Sequence, residues 1–121
     1  MAGRRQGGAQ HFTVQEAQNA TLGQVGSMHN DGTAAIVAPT DHVFIAITFL
    51  ADTTFDADAG GLVAVDSDRF INTVAAANPL DSSGGLIVDA SNTFPAGLTI
   101  YGRWTEIDPA TGSGLIAYIG K

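Results

Sequence analysis

Leu98-Thr99-Ile100-Tyr101-Gly102-Arg103-Trp104-Thr105-Glu106-Ile107 and, after the turn Asp108-Pro109-Ala110-Thr111-Gly112, Gly114-Leu115-Ile116-Ala117-Tyr118-Ile119-Gly120 read as two long strands. In the first, Leu98, Ile100, Gly102 and Trp104 alternate on one face and Thr99, Tyr101, Arg103 and Thr105 on the other, the period of a half-buried strand. The apolar face, Trp104 included, is expected in the core. Between the strands Pro109 presets φ and Gly112 supplies the positive φ that returns the chain. The second strand is apolar on both faces, with Leu115, Ala117 and Ile119 on one and Ile116 and Tyr118 on the other.

The same period runs upstream. Asp41 to Ala51 predicts a long strand with Val43, Ile45, Ile47 and Phe49 on one face and Phe44, Ala46 and Leu50 on the other. Both faces are apolar, so one of them is expected to be covered by a neighbouring subunit. Thr33–Val37, ended by Pro39, Thr53–Asp56 and Gly61–Val65 are shorter strands, and Leu86–Val88 resumes the pattern after Ser82-Ser83-Gly84-Gly85. Ser67 to Ala77 is ambiguous. Phe70, Ile71, Val74 and Ala77 fit a helical stripe behind a Ser67 or Asp68 cap, whereas Phe70–Val74 fits a strand, the reading preferred here. About seven or eight short strands spaced by about 8–12 residues indicate an all-β fold, a jelly-roll-like two-sheet β-sandwich or barrel spanning residues 31–121 as one domain. Residues 1–30 read as an extended N-terminal arm and turn-rich lead-in, within which His11 to Leu22 is open between helix and strand.

A chain of 121 residues is one domain, able to bury roughly two thirds of its unfolded surface. Charged residues make up 14%, against roughly 25% in typical soluble domains. So low a charge suits a surface that packs against partners, which deplete charge at obligate contacts; the alternative is a β domain with a Ser/Thr-rich exterior. The net charge is −7, with Arg4 and Arg5 set against Glu16 in the arm and three basic against eleven acidic groups in residues 31–121. Phosphates are repelled by such a body, which argues against nucleic acid as a partner. Without cysteine there is no thiol chemistry. No apolar run reaches the roughly 18 residues of a membrane span, and residues 1–10 lack the apolar centre of a signal peptide, so a cytoplasmic origin and no membrane partner are expected.

Candidate chemistry is sparse. Asp56, Asp58, Asp66 and Asp68 could offer oxygen ligands to Ca²⁺, but the spacing is not that of an EF-hand and acidic turns are the better reading. His11, His29 and His42 are scattered. Carboxylate pairs for glycoside hydrolysis can be drawn from any acidic protein, and nothing singles one out. Gly60-Gly61 and Gly84-Gly85 lack the lysine and hydroxyl of a phosphate loop, and no G-x-S-x-G occurs. The expectation is therefore no enzyme, no cofactor, no metal and no small-molecule substrate. Arg103 is open between a salt bridge across the sheet, stacking on Tyr101 or Tyr118, and a subunit contact.

The run Phe94-Pro95-Ala96-Gly97-Leu98-Thr99-Ile100-Tyr101-Gly102-Arg103-Trp104-Thr105, followed by Gly114-Leu115-Ile116-Ala117-Tyr118-Ile119-Gly120, resembles an F-P-x-G-x-T-I-Y-G-R-W-T … G-x-x-I-A-Y-x-G pattern. That pattern occurs in small virion proteins of tailed bacteriophages, especially phages of aquatic bacteria and cyanobacteria. The resemblance covers about a quarter of the chain. It implies a capsid decoration, or cement, protein: a β protein, commonly a homotrimer, made in the host cytoplasm and bound to the outer surface of the virion capsid. There it would bridge subunits of the major capsid protein. It implies no catalytic residues. On that reading Arg4, Arg5 and Phe12 of the arm are the candidate capsid contacts, and Phe44, Leu50, Tyr101, Arg103 and Tyr118 the candidate subunit interface. The alternative is a tail- or fibre-associated receptor or glycan-binding module, which would need exposed aromatic platforms, whereas Trp104 is assigned inward.

Overall fold

Both C-terminal strands form where the alternation places them, and the rest of the sheet is built on them. The computed structural model describes residues 24–31, 34–57, 60–111 and 114–121. Its strands are β1 (Gly26–Asn30), β2 (Ile36–Val37), β3 (Val43–Phe49), β4 (Leu62–Ala64), β5 (Thr99–Ile107) and β6 (Leu115–Gly120). Among the described residues the one helical element is a 3₁₀ turn at Pro79–Asp81. All strand pairs are antiparallel, in the order β1-β6-β3-β5, with β2 and β4 also on β5. Because β2 and β4 both pair with Glu106 and Ile107, they lie on opposite edges of β5. Strand β2 therefore runs end to end with β3 along one edge, the two separated by the break at Pro39. The all-β fold stands as expected, as one nearly closed, barrel-like sheet.

The sheet coils through a line of bulges. At one level, β6 advances one residue from Ile119 to Tyr118 while β3 advances two, from Phe44 to Ala46. Opposite the same two residues β5 advances three, from Trp104 to Tyr101. Each strand is thus one residue longer than its neighbour at that level, which bends the sheet and steepens its twist. Ile45 is the extra residue of β3, and its side chain lies over Gly120, where an added Cβ would meet Ile45 Cγ2 at 2.7 Å.

This bulge overturns the face assignment of β3. Strict alternation places Phe44 outward beside Ala46; instead Phe44 joins Ile47 and Phe49 in the core and is fully buried. An inserted residue reverses inside and outside for everything beyond it. Phe44 therefore has no surface to offer a second subunit.

The core gathers Phe44, Ile47, Phe49, Phe55, Leu62, Trp104, Ile107, Leu115 and Ala117, all essentially inaccessible. Burying side chains of this size contributes about 1.5–3 kcal/mol each. Phe49 stacks on Phe94 at 5.0 Å, and Phe55 meets both edge-on at 6.3 and 5.6 Å. Trp104 folds back across Gly102, where a methyl group would sit 2.7 Å from the indole. That contact is the physical reason for glycine two residues before the tryptophan.

Residues 65–88 form an irregular excursion across the core. Phe70–Val74 is not a strand, a correction whose cause is Asn72. Its fully buried amide donates to the carbonyls of Ser67 (3.1 Å) and Phe70 (2.7 Å) and accepts from the N–H groups of Val74 (2.7 Å) and Ala75 (2.8 Å). A side chain that satisfies four backbone groups substitutes for a ladder. Thr73 ties the excursion to β4, accepting from Leu62 N–H at 2.8 Å and donating its own N–H to the Leu62 carbonyl at 2.9 Å. Trp104 Nε1 donates to the Ile71 carbonyl at 2.8 Å. Gly26–Asn30, read from sequence as part of a turn-rich lead-in, is a strand paired with β6, with Met28 packed against the core; tertiary pairing outweighs its weak strand propensity.

Candidate functional site

The outer face of β3, β5 and β6 is set by the register beyond the bulge. Ala46 is the cross-strand partner of both Tyr101 and Tyr118, so the three form one row with the small residue in the middle. Thr48 is likewise opposite Thr99 and Ile116, forming the next row. The two threonine hydroxyls bond each other at 2.8 Å. Beyond Tyr118 and Ile116, β1 adds Ser27 and His29.

Small floor residues between two tyrosines leave a depression of about 250 Å³, lined by Ala46, Thr48, Thr99, Tyr101 and Tyr118. Tyr101 is 65% exposed and Tyr118 half-buried. The five lining residues include no lysine, arginine, histidine, aspartate or glutamate. What such a surface offers is stacking on the rings and hydrogen bonding at the hydroxyls.

The residues nominated from sequence are distributed unevenly. Tyr101 and Tyr118 come together in the depression. Leu50, 51% exposed, follows Ala46 and Thr48 on the same face by alternation and is held there by its N–H on the Gly114 carbonyl at 2.9 Å. Arg103 is half-buried, and its guanidinium donates to the Lys121 carbonyl at 2.8 Å, tying β5 to the end of β6. Phe44 is in the core, as described. Arg4, Arg5 and Phe12 lie outside the described residues. Ala46, Thr48 and Thr99 were not nominated; Thr99 shares the Tyr101 face by simple alternation, but Ala46 and Thr48 are placed only by the register across the bulge.

Among the described residues the acidic turns do not converge. Asp66 is engaged within its own turn, its carboxylate accepting from Asp68 N–H at 3.0 Å with Arg69 at 4.0 Å. Asp56 is exposed, Asp58 lies outside the described residues, and no three His, Asp or Glu side chains group together among those described. His42 Nδ1 pairs with the Thr40 carbonyl at 2.8 Å. Asp89 is held below the usual carboxylate range by the Ser91 hydroxyl and then the Ser91 N–H, at the surface. A second exposed feature is the excursion, which presents Leu80 (90% exposed) and Leu86 (82%) to solvent. No helix among the described residues is long and apolar enough to cross a membrane.

Comparison with protein-family models, with curated proteins and with solved structures finds no match for this chain.

Proposed function

We propose that the chain is a structural component of a tailed-phage virion, a capsid decoration protein that ties major capsid subunits together as a homotrimer. The observation that carries this reading is the phage-virion sequence pattern of residues 94–120. Two glycines of that pattern have physical roles in the fold: Gly102 admits the Trp104 ring, and Gly120 admits Ile45 of the neighbouring strand. Support also comes from the small share of charged residues and from apolar side chains left at the surface, Leu80 and Leu86 on the excursion and Leu50 at the sheet end. Cementing needs binding energy alone. Three linked copies engage a shell multivalently, so modest single contacts add up to firm attachment. Arg4, Arg5 and Phe12 of the arm complete the proposed capsid contacts.

The test is localisation and attachment. Antibody to the chain should label the heads of virions of the encoding phage, and removing residues 1–10 should leave a folded trimer that no longer cosediments with undecorated capsids. Label on tails, or undiminished cosedimentation, would sink the head reading or the arm's part in it, respectively. The alternative, a tail- or fibre-associated glycan-binding module, needs exposed aromatic platforms, and Trp104, fully buried, supplies none.

A further inference from the structure

We propose that the depression between Tyr101 and Tyr118 is a binding site for a neutral carbohydrate ring. The inference stands apart from the capsid reading and rests on four features of the outer face.

The first is width. With Ala46 the partner of both tyrosines, their backbones stand two strand spacings apart, about 9.5 Å. A ring held between two aromatic faces needs walls about 7–8 Å apart at van der Waals contact. Tyrosine side chains rising from β5 and β6, on either side of β3, meet that requirement by leaning slightly inward. A residue larger than alanine at position 46 would fill the gap.

The second is size. About 250 Å³ is below the roughly 300–1,000 Å³ of sites for drug-sized ligands, and suits one ring or two.

The third is the mixture of chemistry. A pyranose has C–H faces that stack on aromatic rings and an equator of hydroxyls. Tyr101 and Tyr118 supply the faces. In the Thr48–Thr99 pair one hydroxyl donates to the other, and the second keeps its hydrogen for a ligand acceptor while both oxygens still have lone pairs to accept from sugar hydroxyls. The phenolic hydroxyls add two more groups of the same dual kind. A proline-rich peptide, which also favours aromatic surfaces, needs a groove several residues long, whereas this depression is one ring in extent.

The fourth is charge. The lining holds no lysine, arginine, histidine, aspartate or glutamate, and the protein carries a net −7, which disfavours phosphorylated or acidic sugars and points to neutral ones.

The experiment is a heteronuclear NMR titration of the full chain with glucose, galactose, N-acetylglucosamine and their short oligomers. Millimolar affinity is expected for a single ring, from the limited binding energy available per ligand atom. Shifts should centre on Ala46, Thr48, Thr99, Tyr101 and Tyr118. Tyr101→Ala should weaken binding by about tenfold or more, and Tyr101→Phe should retain most of it, because stacking outlasts the hydroxyl. The high exposure of Tyr101 makes both variants tolerable to the fold, and an unchanged melting temperature would confirm it. The proposal is overturned if no sugar moves these resonances, if Tyr101→Ala binds as wild type, or if the variants change the sedimentation of the sugar-free protein without touching any sugar response. In that last case the face is a contact between copies of the chain.

Discussion

Strands β3, β5 and β6 enclose Phe44, Ile47, Trp104, Leu115 and Ala117 and close on one another through backbone ladders, whereas residues 65–88 cross the same core without a strand among them. The ladder satisfies backbone groups by repetition. The excursion has them satisfied individually, by Asn72, Thr73 and the indole of Trp104. Where backbone is irregular near a core, polar side chains must supply the bonds that regular structure supplies for nothing, because an unpaired buried group costs about 1–3 kcal/mol. The two regions should therefore fail differently, and substitutions can separate them.

The largest effect is expected at Trp104, which belongs to both. Trp104→Ala should destabilise by about 3–5 kcal/mol, measured by denaturant unfolding. Trp104→Phe keeps an aromatic ring but leaves the Ile71 carbonyl without its donor. Hydrogen exchange should then quicken in residues 65–88 more than in β3. Equal acceleration in both would mean the regions open as one unit.

Asn72→Ala comes next, at about 2–4 kcal/mol, since four backbone groups lose their partner at once. Exchange protection of Val74, Ala75 and Val88 should fall while that of Ile47 and Ala117 persists. A uniform loss across the sheet would contradict the separation.

On the sheet side, Gly102→Ala forces the indole off its seat and should cost about 1–3 kcal/mol by the same unfolding assay. An unchanged midpoint would show that Trp104 can move aside.

In the excursion, Leu80 and Asp81 adopt left-handed backbone at φ 59°. Leu80→Gly should raise stability by about 0.5–1 kcal/mol, because leucine is strained there and glycine is not, and its exposed side chain leaves little packing to lose. A lower melting temperature would reveal a contact made by Leu80.

The smallest effect concerns Asp89. Its pKa is depressed in the folded state, so its contribution is full above the ordinary carboxylate value near 3.9 and is lost as pH falls through the lower, folded value. Ser91→Ala should move the Asp89 titration back up, as read by carboxyl NMR, and the small accompanying loss of stability should be seen near neutrality and disappear once the pH falls below the folded value.

The sequence made the strands legible wherever alternation ran unbroken. Leu115 to Gly120 and the inward placement of Trp104 followed from period alone. The reading of β3 failed at one point, since two apolar faces give no sign of where a bulge reverses them, and Phe44 was misplaced for that reason. Phe70–Val74 misled in another way. Its residues favour a strand, but Asn72, an ordinary polar residue in the sequence, dictates the backbone once it is buried. Of the candidate site, Tyr101 was legible as an outward aromatic. Its pairing with Tyr118 across Ala46 depends on register between strands far apart in the chain, which no local pattern carries.

Ile45 changes what kinds of mutation this sheet can absorb. As a side chain it is replaceable by anything that fits over Gly120, but as a position it sets the step between β3 and both its neighbours. Deleting it would leave Phe44 inward and Ala46 outward by plain alternation, removing the mismatch with β6 and widening that with β5 from one residue to two. In the one, two, three progression across β6, β3 and β5, a length change in the middle strand relieves the mismatch with one neighbour only by enlarging it with the other, so the three strand lengths are coupled at this level.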